Sequence, residues 1–271
     1  MPLTDLQRDA LKVLQPFRNE HNYVAGGAAL NQRWPRMSDD LDIFLDFRGQ
    51  LPAQIEQEVR ALRDAGFSVE TTTSDSLVVE VILRKYGFET RIQWFDDVEE
   101  RRRFFPAARD EELGFRLHDA DLAVNKILAA SRRKEVRDAV DVANIVRRYA
   151  PLGPLVWAAA GKDRAVSPLK MLQGIRDNAF GFSDEQVRTV RMAGDRVMRR
   201  TDVREVLSPA IEAAFQYCEE TAPAQYAGCL FVDRDERPIE ADDETLGSGA
   251  ASALPLRDFG PTPAIVEKPR P

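Results

Sequence analysis

Asp40 and Asp42 stand two positions apart in Ser38-Asp39-Asp40-Leu41-Asp42-Ile43-Phe44-Leu45-Asp46. The alternation of Leu41, Ile43 and Leu45 with the acids reads as a strand. Successive strand residues face opposite ways, so the two carboxylates share one face, about 7 Å apart. Fixed side by side, they repel each other unless a cation lies between them. Such hard oxygen ligands suit Mg²⁺ or Mn²⁺, and a pair leaves room for substrate phosphates. Upstream, Gly26-Gly27 falls between the apolar Tyr23-Val24-Ala25 and a helix start. Glycine lets backbone approach a ligand, and the amides at a helix start can cradle phosphate. A lone glycine pair is commonly a tight turn, and a lone Asp-x-Asp is commonly surface. The combined order of strand, Gly-Gly, short helix, Ser and Asp-x-Asp points to metal-assisted phosphate chemistry.

Gly-Gly followed by Ser-x-Asp-x-Asp resembles the signature of the polymerase-beta-like nucleotidyltransferase superfamily. More narrowly, the chain resembles the AbiEii/AbiGii-type nucleotidyltransferase toxin family of bacterial toxin–antitoxin systems. The second half of the likeness lies in Asp121-Leu122-Ala123-Val124-Asn125-Lys126-Ile127-Leu128-Ala129-Ala130 and then Arg137-Asp138-Ala139-Val140-Asp141. The likeness runs from about Tyr23 to Tyr149. It implies that Gly26, Gly27, Ser38 and Lys126 hold nucleotide phosphates and that Asp40 and Asp42 bind Mg²⁺ (or Mn²⁺). Asp40, Asp42, Lys126 and Asp138 are then the catalytic set, with Asp141 the rival of Asp138. The implied reaction moves NMP from an NTP to an acceptor, an RNA such as tRNA, with an antitoxin as protein partner and the cytoplasm as location. Nucleotidyl transfer needs positioning and neutralisation of phosphate charge, which a metal and a lysine supply. The bland alternatives are a snorkelling Lys126 and a surface pairing of Asp138 with Arg137 or Arg133.

The sequence departs from the superfamily at one place. Many members carry a third metal-binding carboxylate on a neighbouring strand, and the matching position in Thr90-Arg91-Ile92-Gln93-Trp94 is the neutral Gln93, with Glu80 on the preceding strand as substitute. One metal, a base from the second half, or reduced activity are the consequences open. A fold that binds nucleotide or a partner protein without turnover, or one that modifies a small molecule such as an antibiotic, are the alternatives. Arg101-Arg102-Arg103 and Arg132-Arg133-Lys134 are the two basic runs. Each is a solvated face or a contact for an RNA backbone near the junction of the halves. His21 and His118 have no partner motif, and Cys218 and Cys229 have no metal spacing and fit reduced thiols.

These residues need a scaffold. The chain has 271 residues and a net charge of −7. From Glu219 onward stand 11 acidic and 5 basic residues, so nearly all of the excess lies in the tail. The near-neutral body leaves contact with RNA open. No run of about 18 apolar residues offers a membrane span, and the first residues do not read as an export signal.

Thr4 caps a helix to about Glu20, followed by a strand at 23–25 and a short helix at 28–33. After the strand at 41–47, Pro52 opens a helix that Gly66 closes. Three strands follow at 67–72, 76–83 and 89–95, with Tyr86-Gly87 as a turn. From about Phe104 the patterns are helical, over 119–131, 136–149, 152–160, 168–178, 184–200 and 203–221, with a late strand at 228–232. The fold class is α+β, a small mixed sheet with helices followed by a helical C-terminal domain. The expected division is 1–104 as nucleotidyltransferase core, 105–221 as helical domain completing the cleft, and 222–271 as an acidic, largely irregular tail.

Overall fold

Thr4 and Gln7 form a reciprocal capping box, each backbone amide donating to the other's side chain, and start α1 (Asp5–Leu14). A computed structural model of the protein describes residues 3–46, 51–96, 102–194 and 197–258. After α1 come β1 (Asn22–Ala25), α2 (Gly26–Leu30), β2 (Asp40–Leu45), α3 (Leu51–Asp64), β3 (Ser68–Ser74), β4 (Val78–Lys85) and β5 (Phe88–Phe95). The short strands β6 (Arg102–Arg103), β7 (Ala108–Asp110) and β8 (Gly114–Arg116) lead into the helices. These are α4 (Asp119–Arg132), α5 (Val136–Arg148), α6 (Leu152–Lys162), α7 (Pro168–Phe180), α8 (Asp184–Arg188) and α9 (Arg200–Gln216). The chain continues through β9 (Leu230–Val232), α10 (Asp243–Gly247), β10 (Ser252–Leu254) and β11 (Arg257–Asp258).

Seven strands form one mixed sheet in the order β3-β4-β5-β2-β1-β8-β7. Strand β2 runs antiparallel to β1 and parallel to β5. The β4–β5 hairpin turns at Tyr86 and Gly87, both with positive φ, as a tight two-residue hairpin loop requires. In β2 burial alternates strictly: Leu41, Ile43 and Leu45 are buried while Asp40, Asp42 and Phe44 face the other way half-buried. The buried side packs with α1 and α3. Glu58 of α3 is fully buried there, ion-paired with Arg18, and it accepts hydrogen bonds from Trp94 Nε1 (2.8 Å) and Asn22 Nδ2 (3.2 Å). One continuous apolar cluster runs from this layer into α4–α7 and α9, so sheet and helices share a core.

The mixed sheet with helices is the expected α+β architecture, with differences in detail. Strands β7 and β8 place residues up to Arg116 in the sheet, beyond the expected boundary at 104. The helix expected over 184–200 ends at Arg188. Residues 191–193 instead run extended against Pro35–Met37, through Met37 N to Arg191 O (2.9 Å) and Ala193 N to Pro35 O (2.6 Å). Strand-type bonds to a distant loop, followed by Gly194 at φ 72°, override the helical pattern. The tail is also more ordered than its composition suggests. Strands β9 and β10 pair, Phe231 and Ala241 are buried around Trp157, and β11 pairs with β6. Residues 259–271, Arg101, and Phe47 at the end of the expected second strand lie outside the described residues.

Removing one partner of a buried ion pair strands the other charge, at a cost of about 3–5 kcal/mol. Glu58→Ala is therefore expected to lower the urea midpoint strongly with little change in slope. A loss under about 1 kcal/mol would show that Arg18 finds other solvation.

Candidate active site

Gly26 has φ 60°, and a Cβ there would lie 1.7 Å from Asp42 Oδ2, so only glycine fits beneath this carboxylate. A Cβ on Gly27 would meet Arg36 Nη2 at 2.4 Å and Ser38 Oγ at 2.9 Å. The Gly27 amide donates to Asp42. The glycine pair thus lets α2 approach the acid strand until a backbone amide touches the carboxylate. Ser38 Oγ donates to Asp40 Oδ1 (3.0 Å), and Arg137 Nη1 of α5 meets Asp40 Oδ2 (3.2 Å). Ser38, expected to touch nucleotide, is buried and orients Asp40, and it is not among the residues lining the cavity.

That cavity, of about 240 Å³, lies between the half-buried side of the sheet and α4. Asp40, Asp42, Gln93, Phe44 and Phe95 form one wall, with Phe44 and Phe95 stacked at 4.9 Å between centroids. Gly26, Gly27 and Arg36 form a second wall; Leu122, Asn125, Lys126, Ala129, Arg133 and Arg137 close it. Four cationic side chains surround two carboxylates, a charge distribution suited to a polyphosphate with a metal.

Behind the wall runs a chain of ion pairs. Lys126 Nζ meets Asp138 Oδ1 at 2.8 Å and Asp141 Oδ2 at 3.1 Å. Arg133 donates to Asp138 Oδ2 (2.7 Å) and Oδ1 (3.2 Å). Arg36 forks onto Asp141, Nε to Oδ1 at 2.5 Å and Nη2 to Oδ2 at 3.0 Å. Asn31 Nδ2 adds a bond to Asp141 Oδ1 (3.0 Å) and one to Gly27 O (3.0 Å). Burial alone would raise both acids, but Lys126 with Arg133 holds Asp138 below the usual carboxylate range, and Arg36 with Lys126 does so for Asp141. Both are therefore fixed anions that aim cations, and neither is among the cavity-lining residues. Lys126, though only 9% exposed, does reach the cavity.

Asp42 behaves in the opposite way. Burial and then repulsion from Asp40 push its carboxyl up to about 7, against the pull of Lys126, Arg137 and the Gly27 amide. A carboxylate pair so under-compensated fits a divalent cation, which would supply the missing positive charge. Among the described residues no group of three or more His, Cys, Asp or Glu side chains forms a metal cluster. The expected third position is indeed beside the pair: Gln93 is the register partner of Asp42 on β5 and lines the cavity. Glu80, its expected substitute, lies one strand further out and accepts from Gln93 Nε2 (2.8 Å).

The sequence model described as "Nucleotidyl transferase AbiEii toxin, Type IV TA system" matches residues 10–224. The chain belongs to this family. It is accordingly a nucleotidyltransferase of the AbiEii toxin type. In fold, the chain is similar to an H. pylori crystal structure described as a nucleotidyltransferase (TM-score 0.51, 14% identity, 79% of this chain and 94% of that one). The nucleotidyltransferase toxin MenT4 of Mycobacterium tuberculosis is also similar (TM-score 0.48, 16% identity, 79% and 86% coverage). No curated protein matches the sequence.

Sequence reading missed Arg36, the buried cation that joins the glycine helix to α5. Two arginines, Arg33 and Arg36, lie between the glycines and Ser38, and no local pattern singles out Arg36. It also missed the Phe44–Phe95 wall, which strand alternation implies, since both follow site residues by two positions.

The Asp42 shift carries a stability prediction. A folded-state value near 7 against 3.8 in the unfolded chain means that stability falls as pH rises between those values. Asp42→Asn in EDTA is expected to raise Tm at pH 8 by about 2–8 °C, equivalent to about 1–2 kcal/mol after allowance for solvent access. Near pH 4 the gain should vanish. Mg²⁺ should raise the Tm of the unaltered protein at pH 8 and leave the variant unmoved; equal Mg²⁺ responses would remove Asp42 from the metal site.

Proposed function

We propose that this AbiEii-family enzyme uses Mg²⁺ (or Mn²⁺) to transfer NMP from an NTP to an RNA acceptor such as tRNA, as the toxin of a toxin–antitoxin pair in the cytoplasm. The single observation that carries the metal-and-nucleotide part is the Asp40/Asp42 pair facing a cavity whose other charged lining residues are Arg36, Lys126, Arg133 and Arg137. Asp40 and Asp42 would hold the metal, whose contribution when bound is to neutralise phosphate charge. Gly26 and Gly27 line the same cavity, so their backbone would border the bound phosphate. Lys126 and Arg133, aimed by Asp138, meet the remaining phosphate oxygens, and Arg137 steadies Asp40 until the ligand arrives. Ser38 fixes the Asp40 rotamer, and Asp138 is a positioning residue. The partners are an NTP, the RNA and an antitoxin; among the described residues no helix is long and apolar enough to cross a membrane.

The basic runs contribute less to RNA contact than their composition suggests. Arg103 is buried against Asp46 and Tyr23, Arg132 pairs with Asp163, and Lys134 lies over the Phe182 ring. Among the described residues of the runs, Arg133 is the one that lines the cavity. An acceptor end entering the cavity would therefore meet Arg133 and Arg137 first.

The test is incubation with each α-labelled NTP, Mg²⁺ and total RNA. Label on RNA, lost by about 100-fold or more in Asp40→Asn, Asp42→Asn and Lys126→Met, is the expected result. Growth arrest on expression, relieved by Asp42→Asn, would accompany it. Label absent from RNA with every NTP would overturn the RNA-acceptor reading, and label on an aminoglycoside would replace it.

A further inference from the structure

Asp42, Gln93 and Glu80 are register partners across β2, β5 and β4, so their side chains rise in one row on the same side of the sheet. Gln93 borders the cavity. Its amide donates to Glu80 Oε2 at 2.8 Å. Glu80 is itself held, taking Thr72 Oγ1–H on Oε1 (2.7 Å) and lying 3.5 Å from Arg91 Nη1. A carboxylate only accepts hydrogen bonds, so the NH₂ end of Gln93 must face Glu80 and its carbonyl oxygen must face away. The direction of an amide, usually ambiguous, is fixed here by its partner's chemistry.

We infer that Gln93, with its amide direction set by Glu80, is the residue that receives and orients the acceptor's attacking hydroxyl beside Asp42. The inference rests on the nucleotidyl-transfer reading above and deepens it. An amide oxygen accepts the hydroxyl hydrogen bond without taking the proton. In the step, the hydroxyl oxygen bonds to the α-phosphorus while the bond to pyrophosphate breaks, its electron pair leaving with pyrophosphate. The hydroxyl proton passes to water. Gln93 therefore supplies orientation where a third carboxylate would supply a base, and Glu80 acts through it as a positioning residue.

The experiment measures label transfer from NTP to unfractionated tRNA, with Mg²⁺·NTP affinity measured separately by calorimetry. Gln93→Leu is expected to reduce kcat by about 10- to 100-fold, the range for a lost orienting contact, with Mg²⁺·NTP affinity within about 2-fold. Glu80→Lys places a donor-only side chain against Gln93 and reverses the amide, presenting NH₂ to the hydroxyl. It should lose a similar factor. In the double variant the Glu80→Lys loss should disappear, because nothing remains to be turned. A merely structural role for Glu80 would lower activity in both backgrounds. Full transfer by Gln93→Leu, or additive losses, would overturn the inference while leaving the function standing. No transfer by the unaltered protein would overturn both.

Discussion

The fork between Arg36 and Asp141 is the contact on which the site depends. It ties the loop between the glycine helix and the acid strand to α5, with both side chains almost wholly removed from water. A buried pair of this kind contributes little net stability against an apolar substitute, yet losing one partner costs several kcal/mol. Its value is geometric. With Arg36 committed to Asp141, Lys126 spans Asp141 and Asp138, Arg133 completes the set, and each cation at the cavity has a fixed bearing. The same guanidinium lies where any side chain on Gly27 would have to go. The glycine pair is therefore required twice over, beneath Asp42 and against Arg36.

This arrangement gathers charge for a ligand at the expense of the resting protein. Asp40 and Asp42 repel each other on a rigid strand, and the surrounding cations relieve the strain only in part. Sites built to bind charge commonly oppose folding in this way, and the apolar layer beneath β2 offsets it. Leu41, Ile43 and Leu45 anchor the strand whose other face is electrostatically unfavourable.

Much of this was legible in the chain. Period-two alternation placed Asp40 and Asp42 on one face and their apolar neighbours on the other, because strand geometry allows nothing else. The alignment of Gln93 with the expected third carboxylate position agrees with its register against Asp42. Capping at Thr4 was readable because its bonds are local. What stayed hidden was long-range. Nothing near residue 191 says that the chain leaves its helix to pair with the loop that carries Arg36. Asp138 and Asp141 looked like interchangeable acids until their partners, Lys126 with Arg133 for the first and Arg36, Lys126 and Asn31 for the second, gave them separate tasks. The tail looked irregular because its strands are too short for periodicity to register, while their order comes from pairing and from burial around Trp157.

The bridge between Pro35–Met37 and Arg191–Ala193 has a consequence for how the protein is born. Translation delivers the glycines and the two acids early, but the loop carrying Arg36 leans on a segment about 165 residues downstream of Gly26. At about 5–20 residues per second the ribosome needs some ten to thirty seconds to cover that distance. During that interval the nascent chain has its acid-bearing strand without the support that sets its neighbouring loop. The site is thus finished late, and its geometry belongs to a chain grown past Ala193 rather than to an early fragment.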